Sequence, residues 1–164
     1  MAIKLINKIP EPTEHEMQCS LFAILKVYEE RIPEWQAIYA IPNGAKLPYG
    51  KNSKGKRFSK EASWLLKEGM KPGTPDICCP FGQYGHLYIE MKRSGNKTSP
   101  GQDNRIKLLR SVGNFVKICR STGEAMEAIL IHTLCIYRHR EENSPDVITS
   151  KRLNLLTEIS NHKY

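Results

Sequence analysis

The segment from Gly73 to Lys92 constrains the fold of this chain more strongly than any other part of it. A short apolar run follows Pro75 and Asp76, and a glycine-containing turn separates it from a second, alternating run. This order is typical of a β-hairpin. Because side chains alternate between the two faces of a strand, the second run has an apolar face, which we expect to be buried, and a polar face, which we expect to form a site. The apolar face is Leu87, Ile89 and Met91, and the polar face is His86, Tyr88, Glu90 and Lys92.

The position of the turn decides which residues of the hairpin face each other. If the turn is centred at Gln83, antiparallel pairing places Asp76 opposite Glu90, whereas a centre at Tyr84 places it opposite Lys92. Directly opposed side chains have Cβ atoms about 4.5–5.5 Å apart, so that two carboxylates could hold one hard divalent cation. A simpler interpretation treats Asp76 as a turn residue, and Glu90 and Lys92 as a charge pattern on a solvated face.

Positive charge is concentrated on both sides of this hairpin in the sequence. The 164 residues carry a formal charge of +8, from 25 Lys and Arg against 17 acids. Residues 45–71 contain eight basic and two acidic residues, and residues 92–110 contain six and one. Because the paired acids lie between two basic stretches, we expect a phosphate backbone to run across them. The sequence therefore predicts a metal-dependent phosphodiesterase.

Six short motifs then occur in a fixed order along the chain. They are Thr13-Glu14-His15-Glu16-Met17-Gln18, Ala40-Ile41-Pro42-Asn43-Gly44, Leu66-Lys67-Glu68-Gly69-Met70, Gly73-Thr74-Pro75-Asp76, Ile89-Glu90-Met91-Lys92-Arg93 and Ser99-Pro100-Gly101-Gln102. In this order, the stretch from residue 13 to residue 133 resembles the VRR-Nuc branch of the PD-(D/E)XK nuclease superfamily, in particular its compact stand-alone phage or bacterial members. The resemblance implies an α/β fold with a restriction-endonuclease-like core, in which helices flank a central mixed β-sheet.

The resemblance also implies a role for each residue of the central motif. Asp76 and Glu90 would be the carboxylates that bind Mg²⁺, for which Mn²⁺ could substitute, and the backbone carbonyl of Met91 would be a further ligand. Lys92 would orient or deprotonate the attacking water and stabilise charge on the phosphate. No small-molecule cofactor is implied.

Two further residues have a possible catalytic role and a simpler structural one. Gln102 matches the family glutamine, but Ser99 and Gln102 also fit a helix capping box. Glu14 matches the acid of the first family helix because it lies four residues before Gln18, with Glu16 as the alternative. Glu14 could equally compensate the helix dipole in the first turn.

The resemblance and the basic stretches together suggest the residues that contact DNA. These are Asn43, Lys46, Lys51, Lys54, Lys56, Arg57, Arg93 and Lys97. By analogy with compact members of the family, we expect a homodimeric endonuclease that acts on branched DNA, with the four-way (Holliday) junction as its leading substrate. The alternatives are a flap nuclease, another DNA or RNA nuclease of the same fold, and a nucleic-acid-binding module without activity.

Local patterns predict the order of helices and strands. The nuclease domain is expected to cover residues 1–138, and residues 139–164 to form a C-terminal extension with a short helix at 151–159. Helices are predicted at 13–30, 59–68, 100–112 and 122–132, strands at 36–41, 76–79, 87–92 and 115–119, and a second capping box at Ser121 and Glu124.

The remaining composition indicates a cytoplasmic protein. The five cysteines have no CxxC spacing, which argues against structural zinc and fits a reducing compartment. No apolar run has the length of a membrane span, and the first residues lack the apolar segment of a secretion signal. We therefore expect no contact with a membrane.

Overall fold

A computed structural model describes residues 10–42, 50–51, 57–82, 84–143 and 146–161. Within these ranges the α-helices are α1 (Glu14–Tyr28), α2 (Lys60–Lys67), α3 (Pro100–Ser111), α4 (Thr122–Asn143) and α5 (Val147–Ser160), and a 3₁₀ helix spans Pro33–Ala37. The strands are β1 (Tyr39–Ala40), β2 (Gly50–Lys51), β3 (Arg57–Phe58), β4 (Ile77–Cys79), β5 (Leu87–Met91) and β6 (Phe115–Cys119). No helix in the described ranges combines the length and the hydrophobicity required to cross a bilayer.

The central sheet has the strand order β1-β4-β5-β6. β4 pairs with its neighbours in antiparallel orientation, whereas β5 and β6 are parallel and are connected through α3. The mixed sheet flanked by helices confirms the predicted α/β fold class. In the β4–β5 hairpin Ile77 pairs with Ile89, so the next position places Asp76 opposite Glu90, the first of the two predicted registers.

The two faces of β5 contact different helices. Leu87, Ile89 and Met91 are buried in the main core, which α1, α4 and α5 also line. On the other face, α3 packs over Tyr88 and forms a second, smaller apolar cluster. Glu90 lies on this covered face and is fully buried, which rules out a solvated charge pattern.

One predicted strand at the edge of the core differs from the observed structure. The predicted strand at 36–41 is reduced to β1, because its first residues belong to the 3₁₀ helix. Trp35 in this helix is buried and donates its indole N–H to Thr133 Oγ1 (3.1 Å), and Ile38 N–H closes the helix on the Trp35 carbonyl (3.2 Å). Tertiary burial of Trp35 therefore overrides the local strand pattern.

The C-terminal helices are longer than predicted. The helix predicted at 122–132 continues to Asn143, because no glycine or proline interrupts residues 124–143. The helix predicted at 151–159 begins at Val147, because Asp146 caps it by accepting the Thr149 N–H (2.7 Å). Apolar side chains of α5 belong to the main core.

The capping box predicted at the start of α4 is only half formed. Glu124 N–H donates to Ser121 Oγ (3.1 Å), as predicted. The Glu124 carboxylate, however, accepts from Arg120 N–H (2.7 Å) and not from Ser121. The backbone N–H that donates to the Glu124 carboxylate therefore belongs to Arg120, one residue before the expected donor Ser121.

A buried polar network joins the 3₁₀ helix to α4 and α5. Tyr137 is fully buried and donates to Glu34 Oε2 (2.5 Å), while Arg140 donates to Glu34 Oε1 (2.7 Å). Arg152 donates to the Tyr137 hydroxyl oxygen (3.2 Å). Burial raises the pKa of Glu34, but these partners outweigh it, so that the pKa lies below its ordinary value.

Tyr137→Phe is expected to reduce the free energy of unfolding by about 1.5 kcal/mol at pH 7, because a hydrogen bond to a carboxylate is lost. A depressed pKa contributes stability that is present above pH 4.5 and disappears as the pH falls through the folded-state pKa of Glu34. The difference between variant and wild type should therefore shrink between pH 7 and pH 3 in urea denaturation. Tyr84→Phe is the control, because Tyr84 is exposed. An equal deficit at both pH values would contradict the assignment.

Candidate active site

The hairpin places two carboxylates side by side at one end of the sheet. Asp76 directly precedes β4, and Glu90 lies opposite it in β5. Asp76 Oδ2 accepts the backbone N–H of Met91 (2.8 Å), so the strand after Glu90 holds the first carboxylate in position. The sequence prediction that pairing brings Asp76 and Glu90 together is confirmed.

Lys92 and Gln102 both contact the same oxygen of Glu90. Lys92 Nζ lies 2.7 Å from Glu90 Oε1, in an ion pair whose side chains are only 11% and 1% exposed. Gln102 Nε2 donates to the same Oε1. The second oxygen, Glu90 Oε2, is buried and has no hydrogen-bond partner among the described residues.

Gln102 forms the predicted capping box and also contacts the carboxylate cluster. Its Oε1 accepts the Ser99 N–H (2.9 Å) and its backbone N–H donates to Ser99 Oγ (3.3 Å), which completes a capping box. The amide nitrogen at the other end of the side chain contacts Glu90. Gly73 allows the loop before Asp76 to approach this turn, since a Cβ at Gly73 would lie 2.8 Å from the Gly101 carbonyl oxygen. The cap therefore fixes Gln102 against the buried carboxylate.

Glu14 is the acid of α1 that reaches this cluster. Glu16 forms the capping box with Thr13, whose N–H it accepts (2.8 Å). Glu14 Oε1 instead accepts the N–H of Arg93 (3.1 Å), and its Oε2 lies 3.8 Å from Lys92 Nζ. Of the two candidates, the structure thus brings Glu14 to the site and places Glu16 in the cap.

The cluster of Glu14, Asp76, Glu90 and Lys92 contains more acidic than basic groups and is partly buried. Burial raises the pKa of Asp76, and the Met91 N–H and the Lys92 ammonium offset only part of this effect. Burial also raises the pKa of Glu90, which Lys92 partly counters and Asp76 reinforces. Burial lowers the pKa of Lys92, but the hydrogen bond to Glu90 and the three acids outweigh it, so the pKa is raised. Three carboxylates share one ammonium group, an arrangement that favours a further cation.

The donor atoms suit a hard divalent cation. Asp76 and Glu90 offer carboxylate oxygens, and the buried Oε2 of Glu90 lacks the partner that a buried charged atom requires. Within the described ranges, no group of three or more His, Cys, Asp or Glu side chains could hold a metal ion. The protein would therefore supply two carboxylates, and backbone, water or substrate oxygens would complete the coordination, as is common for Mg²⁺.

The predicted DNA-contacting residues fall into three groups. Lys51 and Lys97 are exposed, whereas Arg93 is half-buried and donates its side chain to the Glu11 carbonyl (3.2 Å). The side chain of Arg57 lies outside the part of the chain that the structure describes. The residues Asn43, Lys46, Lys54 and Lys56 also lie outside it.

Sequence reasoning missed one residue that supports the site. Arg120 Nη1 donates to the carbonyls of Arg93 (3.0 Å) and Asn96 (2.9 Å), and so holds the loop that follows β5. The parallel register pairs Met91 with Cys119, which puts Arg120 beside Lys92 in the sheet order. Only the register could have revealed this, because 28 sequence positions separate Arg120 from Lys92.

Comparisons with known proteins agree with this architecture. The sequence model of the VRR-NUC domain matches residues 26–123, more than half of the chain. A solved structure described as a VRR_NUC domain protein is similar, with a TM-score of 0.57 and 21% identity over 76% of this chain and 90% of that chain. At this identity the likeness shows the fold. A search of curated proteins gave no match. The chain therefore belongs to the VRR-NUC domain family, a nuclease-type family, as its ordered motifs predicted.

Proposed function

We propose that this protein is a divalent-metal-dependent endonuclease that hydrolyses DNA phosphodiesters. The observation that carries the proposal is the buried Glu90 Oε2 without a partner among the described residues, in a cluster that also contains Asp76 and Lys92. Asp76, Glu90 and the Met91 carbonyl would hold Mg²⁺, with Mn²⁺ as a substitute. When bound, the ion would polarise the scissile phosphate and lower the pKa of a coordinated water.

Lys92 is the residue best placed to assist the attack. Its ammonium group is held by Glu90 on one side and lies 3.8 Å from Glu14 on the other. A positively charged group fixed in this way can orient the attacking water and stabilise charge on the phosphate. Gln102 keeps the Glu90 carboxylate in its orientation. By resemblance to the family, the product would carry a 5′-phosphate.

The proposed substrate is branched DNA, with the four-way junction first and a flap or other nucleic-acid structure as the alternative. The basic stretches at 45–71 and 92–110 support a nucleic-acid substrate. A module that only binds nucleic acid is the less favoured alternative, because both hairpin acids and the lysine are present and brought together.

We propose a twofold dimer, because one protomer carries one such cluster and paired incisions need two sites at a fixed separation. An apolar groove between β6 and α4 supports a second copy as the partner. This groove encloses a cavity of about 750 Å³ and contains Phe115 and Ile131, which are 49% and 55% exposed. Lys117 and Glu127 also line the groove, so a twofold axis could pair opposite charges across it.

The junction assay tests activity and assembly together. Light scattering at micromolar concentration is expected to give the molar mass of a dimer for the wild type. The wild type is also expected to linearise a supercoiled cruciform plasmid in Mg²⁺. Ile131→Glu should produce a monomer that only nicks the plasmid, since a charge would be buried in the seam. Ile148→Glu is the matched control, because Ile148 is also exposed but does not line the groove. A monomeric wild type that only nicks would refute the dimer and favour a flap nuclease.

Neutralising Lys51, Lys54, Lys56 and Arg57 together is expected to weaken DNA binding and flatten its salt dependence. Each lost phosphate contact reduces the log–log salt slope by about 0.9 for duplex DNA. Fluorescence anisotropy between 50 and 200 mM salt, without divalent metal, measures the slope. Neutralising Lys26 and Lys151, which are exposed on other elements, is the control. An unchanged slope in the first variant would mean that this segment does not contact the backbone.

A further inference from the structure

A second cavity lies next to the candidate active site. It has a volume of about 430 Å³ and opens between the end of α2, the loop before Asp76 and α3. Ile41 lines the cavity and donates its N–H to the Asp76 carbonyl (2.7 Å). Arg105 also lines it, one helical turn beyond Gln102. Two lining residues therefore link the cavity to the candidate active site: Ile41 through its hydrogen bond to Asp76, and Arg105 through the helix that it shares with Gln102.

The lining combines apolar walls with positive charge. Leu65 and Met70, together with Ile41, provide apolar side chains, while Lys71 and Arg105 provide two cations. Among the described residues of this lining, none is acidic. A flat apolar group with an attached anion matches such a surface, and the volume lies within the roughly 300–1,000 Å³ of small-ligand sites.

Arg105 has an unused hydrogen-bond donor at this position. Its Nε is buried and has no partner among the described residues. Arginine is always charged and binds phosphate through several N–H donors at once. The proposed hydrolysis does not use Arg105, so the buried donor is not explained by the chemistry at Asp76 and Glu90.

The adjoining helix offers a path for a nucleic-acid strand. Trp64 is 63% exposed, and Lys60 and Lys67 lie four residues before it and three residues after it, on the same face of α2. An exposed aromatic ring between cations is a typical surface for stacking a base beside a phosphate backbone.

We propose that this cavity binds one unpaired nucleotide of the DNA strand next to the scissile phosphate. The base packs against Leu65 and Met70, and its phosphate contacts Arg105 and Lys71. A nucleotide inside a duplex cannot enter a concave cavity without leaving its stack, so the site favours a flap or another branched DNA with an unpaired base at the branch point, the alternative substrate, over a fully paired four-way junction. This inference rests on the proposed nuclease function and names a determinant of its substrate.

The test compares Arg105→Ala with Lys107→Ala, an exposed lysine on the same helix that does not line the cavity. Forked DNA with 2-aminopurine at successive unpaired positions is bound in EDTA, and fully paired DNA of the same length is the reference. Wild type and Lys107→Ala should change the fluorescence at one position and bind the fork preferentially. Arg105→Ala should lose the signal and reduce the preference at least tenfold, and Arg105→Lys should restore part of it.

In the DNA-binding assay, the inference would be overturned by a wild type without a position-specific signal, by equal losses in Arg105→Ala and Lys107→Ala, or by an Arg105→Ala loss that is the same on paired DNA. Millimolar deoxynucleoside 5′-monophosphate is added in a parallel arm. If the nucleotide competes with DNA binding at that concentration while no 2-aminopurine position in the fork responds, the cavity is a site for free nucleotides. That result would also overturn the inference. Because binding is measured without metal, absence of cleavage in Mg²⁺ would refute the nuclease proposal separately.

Discussion

Glu90→Gln is expected to reduce DNA cleavage in Mg²⁺ by at least about a hundredfold, or roughly 3 kcal/mol of transition-state stabilisation. The amide keeps the size of the side chain but removes the charge that a divalent cation needs, and its buried Oε2 position has no other partner among the described residues. Asp76→Asn should have a similar effect. Both variants should keep the fold and bind DNA in EDTA almost as wild type does, because little binding energy is involved.

Two neighbouring acids provide matched controls for these substitutions. Glu16→Gln changes an exposed acid that caps α1, and a glutamine can preserve the cap. Asp103→Asn changes an exposed acid that directly follows Gln102. Cleavage rates within a few-fold of wild type are expected for both controls. Near-wild-type cleavage by either Glu90→Gln or Asp76→Asn would show that the cluster is not the active site.

Lys92→Met is expected to abolish cleavage and also to destabilise the protein by about 3 kcal/mol, because it leaves a buried carboxylate without its counter-ion. The burial of the pair is the reason: Glu90 is 1% exposed at its side chain, and Lys92 Nζ is its only cationic partner within the described ranges. Urea denaturation measures the loss. Lys97→Met should leave stability unchanged, because Lys97 is exposed.

The double variant Glu90→Gln, Lys92→Met separates the ion pair from simple packing. With the carboxylate neutralised, the methionine replaces the lysine stem without leaving a buried charge, so most of the stability lost in Lys92→Met should return. Strictly additive losses in the single and double variants would mean that Lys92 stabilises the fold through packing alone. Cleavage should stay absent in the double variant.

Local chemistry in the sequence predicted the centre of the site well. Strand alternation and turn placement left Glu90 and Lys92 as the two residues that could lie opposite Asp76, and the observed register selects Glu90. The predicted helix at 100–112, capped by Ser99, agrees closely with α3. These features depend on neighbours in the chain. The family motifs supplied what local patterns could not, namely the approach of Glu14 from α1.

The remaining features depend on contacts between distant residues. Trp35 forms a 3₁₀ turn because Thr133, far along the chain, receives its indole N–H. Arg120 supports the loop after β5 only through a parallel register that no short motif encodes. The burial of Glu90 follows from α3 covering the polar face of β5, whereas alternation alone predicted only that this face is polar.

The double contact of Gln102 joins the first turn of α3 to the proposed active site. One end of the side chain closes the helix on Ser99, and the other end contacts Glu90. If that turn frays, the capping bonds and the contact to Glu90 are lost in the same local event. In the proposed nuclease, a local unfolding equilibrium would then limit the fraction of molecules competent to cut DNA, and solvents or ligands that shift helix fraying would act on turnover without approaching the phosphate.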